Sequence, residues 1–278
     1  MGEGAETKKL KGYLQLNFFQ QKLTQQQINS ILIGNLLGDG SYDNRGGILK
    51  NRHNNKQNSY VYLLENLYKE MGVFHSSKYD YLSPTNINPH SKSSYVKGKV
   101  PNKAFFENEC FFEYNNSNLT KSGNITYYKK HKRVVSEFAL NNIDPLGLLL
   151  WFLDDGSLAA QKRTRKTKIS VRHWYERHAT LSTHGFSYDE HLIIQDVFQK
   201  RFGIQVKLYK QKSRYPGTKT ISSINYYTYF NADNFRKFYD IVRPWLFIVP
   251  ANFSYKFNMK YETTGKNRIL SKNYNFSL

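Results

Sequence analysis

Two apolar stretches stand out from a polar chain, and each runs into the same three residues. Ile31-Leu-Ile-Gly-Asn-Leu-Leu-Gly leads into Asp39, Gly40 and Ser41; Gly147-Leu-Leu-Leu-Trp-Phe-Leu-Asp leads into Asp155, Gly156 and Ser157. The two acids lie 116 positions apart (155 − 39), about half the chain, so the sequence reads as two copies of one unit. Each stretch is predicted to be a helix. Thr24 followed three residues later by Gln27 is a capping-box start, and Gly40 a stop. Asp144 with Pro145 begins the second helix, and Gly156 ends it. Both are apolar nearly all round, so both should be buried. Two such helices from matching halves pack most simply on each other, and Gly34 and Gly38 permit a close approach.

Downstream of each helix the period shifts. In the second half, basic residues interleave with apolar ones across Lys162–Ser182, with strand-like alternation at Thr167–Val171. An amphipathic helix is predicted over Tyr188–Phe202, stopped by Gly203. Strands follow at Gln205–Lys210 and Ile221–Phe230, joined by the turn Arg214-Tyr-Pro-Gly217, and a last helix from about Ala232 to Trp245. The first half repeats this order less cleanly. A strand region spans Tyr42–Asn55, a helix Tyr60–Met71, strands Ser77–Tyr81 and Tyr95–Val100, and a helix Lys103–Tyr114. The polar stretch Asn115–Lys130 reads as an inserted loop or hairpin.

Charge narrows the function. The 278 residues carry 41 Lys plus Arg against 21 Asp plus Glu, a formal net charge of +20. That excess wants a polyanion, with nucleic acid ahead of an anionic membrane, because no basic amphipathic helix stands out. The longest apolar run, Leu146–Leu153, is far short of the ~20 residues that span a bilayer. Met1–Tyr13 has no apolar core of the secretory kind. The single cysteine, Cys110, excludes an intrachain disulfide and a Cys-based zinc site, and reads as a packed small hydrophobe in a reducing compartment. The abundance of Asn, Lys, Tyr, Phe and Ile, all with A/T-rich codons, suggests an organelle genome.

The placement of the acids is the chemical signal. Asp39 and Asp155 fall at helix C-termini, where the negative end of the macrodipole disfavours a carboxylate by ~0.3–1 kcal/mol. If the helices pack together, the carboxylates also face each other, which costs more and raises a pKa. A lone Asp-Gly is an ordinary helix-ending turn. Two copies, each after an apolar helix and before a basic strand region, point instead to a divalent cation, which reverses the electrostatic balance. Two carboxylates with phosphate oxygens make a Mg²⁺ site suited to attack of water on phosphorus, and Mn²⁺ or Ca²⁺ are the alternatives. Asp154 aligns with Gly38. Both join the candidate metal site, Asp154 as a residue supporting the ligands or the C-terminal turn.

These residues resemble a known family. Leu32–Gly40 and Leu148–Gly156 are similar to the LAGLIDADG motif of single-chain, two-motif homing endonucleases, and Trp151–Ser157 is close to the second motif of intron-encoded organellar members. Leu181-Ser-Thr-His-Gly-Phe-Ser187, Arg243-Pro-Trp-Leu246 and Pro250–Lys256 are similar to later segments of that second half. The resemblance implies an α+β fold of two pseudo-symmetric αββαββα repeats, whose antiparallel sheets form a saddle on the DNA major groove. It implies an N-terminal extension (1–22), repeats at 23–135 and 136–260, and a tail (261–278). It makes Asp39 and Asp155 the metal-binding acids, one per strand cut. It adds a basic residue near each scissile phosphate: Lys256 in the second half and Lys132 in the first, with Lys130 and Arg133 as close competitors. Asn35 departs from the pattern by placing an amide inside the first motif helix, where it needs a partner.

The activity so implied is site-specific cleavage of double-stranded DNA by a monomer, in an organelle, most simply a mitochondrion. Expected DNA contacts are Lys50, Arg52, Arg163, Arg165, Lys168, Arg172, Lys207, Lys210, Lys212 and Arg214. Two alternatives share the fold: a maturase that binds intron RNA, and a catalytically silent DNA-binding protein. Retention of both acids favours the nuclease.

Overall fold

A computed structural model describes residues 23–43, 46–82, 92–101, 111–119, 125–133, 135–166, 171–214 and 220–258. The first repeat opens with α1 (Gln25–Leu37), β1 (Ser41–Asp43), β2 (Ile48–Asn54), α2 (Asn58–Glu70), β3 (Phe74–Leu82) and β4 (Lys92–Lys99). A hairpin of β5 (Phe111–Leu119) and β6 (Ile125–Arg133) follows, then the short α3 (Glu137–Asn141). The second repeat runs α4 (Pro145–Asp155), β7 (Gly156–Lys166), β8 (Val171–Leu181), α5 (Tyr188–Phe202), β9 (Lys207–Arg214), β10 (Ile221–Phe230) and α6 (Ala232–Val242). Two 3₁₀ turns, Arg243–Ile248 and Ala251–Phe257, close it. The first sheet has order β1-β2-β4-β3 and the second β7-β8-β10-β9, both antiparallel. The same topology twice is the structural form of the sequence repeat.

The helix starts follow the expected chemistry. Thr24 and Gln27 form the reciprocal capping box, with Gln27 N–H on the Thr24 hydroxyl and Thr24 N–H on the Gln27 side chain. At α4, the Asp144 carboxylate accepts from the N–H groups of Leu146 and Gly147. Ser30 on α1 donates to that same carboxylate and accepts from the Asp144 N–H, so one repeat braces the cap of the other.

The core runs along the α1–α4 contact. Ile31, Leu32, Ile33 and Leu36 of α1 and Leu148, Leu149, Leu150, Trp151 and Phe152 of α4 belong to one buried cluster, all at most 1% exposed, with Trp151 packing on Phe198 and Phe152 on Phe235, Phe238 and Phe257. The crossing is very close. A Cβ built on Gly34 would lie 2.2 Å from the Gly147 carbonyl oxygen, and one on Gly147 would lie 2.3 Å from Ser30 Oγ. Asn35 is buried in this seam. Its Nδ2 donates to Ile31 O one turn back, and its Oδ1 has no hydrogen-bond partner among the described residues. A second tie crosses the repeats at the chain's end, where Ser59 donates to Asn252 Oδ1 and Asn252 donates to Lys56 O.

Two expectations change. The helix expected over Lys103–Tyr114 does not extend through its last turn, because Phe111–Tyr114 belongs to β5; residues 103–110 lie outside the described set. Asn115–Lys130 falls in the β5–β6 hairpin, where nine consecutive cross-strand pairs reward extension more than the local helical pattern does. The last helix ends at Val242 rather than Trp245, since Pro244 cannot donate to a continuing helix and the chain tightens into a 3₁₀ turn.

Candidate functional site

The ends of α1 and α4 come together beside β2. α1 is capped by Gly38, whose N–H reaches Gly34 O, and Asp39 follows with its side chain 48% exposed. α4 ends at Asp155, and Gly156 takes an extended conformation that passes straight into β7. Between these ends lies the Asp154 side chain, completely buried. Gly38 makes this possible, for a Cβ there would fall 2.4 Å from Asp154 Oδ2. That oxygen accepts from the Asp39 N–H at 3.2 Å.

The third member is His53. In β2 the odd positions Leu49, Asn51 and His53 face inward, and the β1–β2 hairpin, with Ser41 opposite Lys50, folds the strand back under the helix ends. His53 Nδ1 lies 3.7 Å from Asp39 Oδ2, and Nε2 lies 3.9 Å from Asp154 Oδ1. The ring packs edge-on to Tyr60 at 5.0 Å. Among the described residues, Asp39, His53 and Asp154 form the one group of three such side chains able to converge on an ion, with donor atoms within 4.8 Å of each other. His53 Nε2 and Asp154 Oδ1 are both buried without a hydrogen-bond partner in the described structure. Two orphaned polar atoms facing each other are costly unless something bridges them, and a divalent cation fits that donor set.

The electrostatics agree. Burial first, then repulsion from Asp39, push the Asp154 carboxyl well above the usual range. Burial holds His53 below the ordinary imidazole value despite the attraction of Asp39. Lys256, only 5% exposed, reaches in from the last 3₁₀ turn and donates to the carbonyls of Leu153, Phe152 and Asp154. It caps the negative end of α4. Burial lowers its pKa, opposed by Asp154, Asp155 and Asp39. Asp155 is half-buried, and its carbonyl accepts from the Ser182 N–H.

A sequence profile of the LAGLIDADG DNA endonuclease family matches residues 29–238, from inside α1 into α6. The chain belongs to that family. A curated relative, "Probable intron-encoded DNA endonuclease 3" of Mycosarcoma maydis, is 29% identical over 115 residues. These residues are 41% of this chain and 66% of that protein, so the match spans just under two thirds of the relative. The homing endonuclease I-WcaI, solved bound to its DNA recognition sequence, has a TM-score of 0.54 at 18% identity, covering 87% of this chain and 91% of that one. At that identity the likeness is one of fold.

Within this LAGLIDADG chain, the outer faces of the sheets carry the basic residues unevenly. On the first sheet Lys50 and Arg52 alternate with the inward positions of β2 and point outward. Lys50 Nζ sits 4.6 Å from the Tyr95 ring centroid, Lys97 Nζ 5.3 Å from it, and Arg52 lies 5.9 Å from the Tyr81 ring. Burial first, and then the like charges of Lys97 and Arg52, lower the Lys50 pKa. Sequence reading missed Lys97, Lys78, Tyr81 and Tyr95, which a register placing Tyr95 opposite both Arg52 and Lys78 brings together.

On the second sheet Arg163 and Arg165 occupy strand positions in phase with the exposed Ala159, and Arg165 lies opposite Arg172. Lys168 lies outside the described residues. Lys207 pairs with Tyr229 on the outer face, where Tyr209 stacks on Tyr227 at 5.8 Å. Lys210 pairs with Tyr226, in phase with buried Thr228 and Phe230. Lys210, Lys212 and Arg214 therefore fall on the strand face opposite Lys207. Lys132 lies opposite Phe112 in the β5–β6 hairpin, with Lys130 and Arg133 in the same strand; the side chains of that hairpin lie outside the described set.

Proposed function

We propose that this protein is a site-specific, metal-dependent endonuclease of double-stranded DNA, acting as a monomer. The observation that carries the reading is the meeting of two acid-terminated helices between two sheets of the same topology, with Lys50, Arg52 and Lys97 crowded on the outer face of the first sheet. One chain thereby supplies both halves of a double-strand cut.

In this reading Asp39 and Asp155 each hold a divalent ion such as Mg²⁺, Mn²⁺ or Ca²⁺. Gly38 and Asp154 shape the space between them. Such an ion polarises a phosphate and lowers the pKa of bound water. Lys256 keeps the end of α4 in place and offsets the charge of the acids, and Lys132 is the counterpart in the first half. The outer-face cations Lys50, Arg52 and Lys207, together with Arg163, Arg165 and Arg172, neutralise phosphates or read base edges. Lys168, Lys210, Lys212 and Arg214 are further candidate phosphate contacts. Repeats at 23–135 and 136–260, flanked by 1–22 and 261–278, are the units of this arrangement. The name of the Mycosarcoma maydis relative and the abundance of residues with A/T-rich codons support an intron-encoded, organellar origin, most simply mitochondrial.

The test is a Mg²⁺ cleavage assay on a pooled library of long duplexes that includes intron-insertion sites from A/T-rich organelle genomes. The control is the Asp39→Asn, Asp155→Asn double variant. Cleavage at one long sequence by the wild type alone establishes the activity and names the target. Binding of a duplex or an intron RNA without cleavage transfers the lead to a silent DNA-binding protein or a maturase. Binding should weaken steeply with salt, by a log–log slope of about −0.9 per phosphate neutralised.

A further inference from the structure

The two halves are not chemically equivalent. Ser41 and Ser157 each follow a motif acid by two positions, and they pair with Lys50 and Thr180. Counting three residues on from each partner reaches His53 in the first half and Thr183 in the second. The Thr183 hydroxyl is buried and shared among His191, Thr228 and a backbone carbonyl, so it faces its own repeat. Gly38 and Asp154 differ in the same way, a bare α-carbon on one side and a carboxylate on the other. Both differences place extra donors beside Asp39.

We propose that the Asp39 half binds its ion through a nitrogen as well as oxygens, with His53 Nε2, Asp154 Oδ1 and Asp39 as donors, and so prefers a first-row transition ion to Mg²⁺. This rests on the metal-dependent reading above and adds to it a ligand set and an ion preference. The geometry carries it. His53 Nε2 and Asp154 Oδ1 stand 3.9 Å apart, buried and without hydrogen-bond partners in the described structure. Donors about 2.1 Å from a shared tetrahedral ion would be about 3.4 Å apart, so a closure of about half an ångström brings the His53–Asp154 pair into range, and Asp39, with the three donors now within 4.8 Å of one another, closes the rest by swinging in from its exposed side. Asp39, half exposed, leaves the open side toward solvent. Imidazole suits Zn²⁺, Ni²⁺ and Co²⁺, and carboxylates admit Mn²⁺, whereas Mg²⁺ holds to oxygen. The Asp155 half has no imidazole at the equivalent position and remains the Mg²⁺ site.

The experiment uses Mn²⁺ as probe on the full chain, read by pulsed electron paramagnetic resonance and by titration. A ¹⁴N modulation from a directly bound imidazole is expected in the wild type and should convert to the ¹⁵N pattern when the histidines are ¹⁵N-labelled, a measurement that needs no variant. His53→Gln should remove the modulation and weaken Mn²⁺ binding at least tenfold, leaving Mg²⁺ affinity within about twofold. Asp154→Asn should weaken Mn²⁺ similarly. Absence of nitrogen coupling in the loaded wild type overturns the proposal and leaves a bridging water as the occupant of the gap. So does a His53→Gln protein that folds and binds Mn²⁺ normally. If that happens while a duplex is still cut in Mg²⁺, the nuclease reading stands and the nitrogen site alone fails. Nitrogen coupling with no duplex cut in any metal establishes the nitrogen site and overturns the nuclease reading.

Discussion

Replacing Gly34 by alanine sets two effects of opposite sign against each other, and the structure decides between them. Alanine is the better helix former by ~1 kcal/mol, so propensity alone predicts a more stable protein. The new Cβ, however, would sit 2.2 Å from the Gly147 oxygen and 2.9 Å from its carbonyl carbon. Ordinary contact begins near 3.4 Å, so the helices must part by about 1 Å, and the obstacle is backbone that cannot rotate away. Overpacking of this kind costs ~1–3 kcal/mol, occasionally more, and the parting also loosens Leu36, Leu150 and their neighbours along the seam. The clash wins. Less the ~1 kcal/mol of propensity, the net loss is up to ~2 kcal/mol, and at ~2–4 °C per kcal/mol for a chain of this size Gly34→Ala should lower the melting temperature by up to ~8 °C. Gly147→Ala should do the same, since its Cβ meets Ser30 O at 2.4 Å. Circular dichroism melts read this directly, with exposed Gln26→Ala in the same helix as the propensity control. A Gly34→Ala protein that melts higher than wild type would refute the close crossing, and with it the placement of Asp39 beside Asp154.

Three further outcomes follow from other contacts. Lys256→Met should cost ~1–3 kcal/mol in urea unfolding, because three buried α4 carbonyls lose the ammonium they share. Asp144→Ala removes the acceptor for two α4 N–H groups and for Ser30; a loss of ~1–2 kcal/mol is expected, and an unchanged midpoint would show that the cap does not couple the repeats. Burial holds His191 below the imidazole value of 6.5, against the pull of Ser187 O and Glu190 and with a push from His184. Its folded-state pKa is depressed, so the stability it allows is full above pH 6.5 and falls as the pH drops from there toward the folded value. His191→Gln should flatten that acid limb of the stability–pH curve.

Much of this fold was legible because its signals are local. Thr24, Asp144 and Ser187 announce helix starts through side chains that bond within a turn, and Gly203 announces a stop through its left-handed backbone. The duplicated Asp-Gly-Ser located both helix ends. What stayed hidden depends on register. His53 carries no motif, and it meets Asp39 only because the β1–β2 hairpin returns the chain at a particular pairing. Tyr95 and Lys97 join Lys50 and Arg52 for the same reason. The nearest available signal was the alternation Leu49, Asn51, His53, two polar residues on an inward face. The β5–β6 hairpin was half visible. Its polar centre reads as an inserted loop or hairpin, and the strands on either side do pair, while Phe111–Tyr114 carried a helical pattern that cross-strand pairing overrode.

The same residues show why stability and site cannot be separated in this protein. A buried carboxylate between two helix C-termini is unfavourable three times over, through desolvation, through Asp39 and through the helix dipoles. The fold answers with a glycine at position 38 that gives the carboxylate room, a backbone N–H from Asp39, and a lysine that binds the carbonyls behind it. None of these satisfies Asp154 Oδ1, which is left facing His53 Nε2. Had the position been under selection for packing alone, a leucine or alanine at 154 would have removed the whole burden, as apolar replacements of buried charges commonly do. The remaining cost falls on the Asp154 Oδ1–His53 Nε2 pair, and a cation bound there as proposed above would contribute its binding energy to folding of the seam between the repeats.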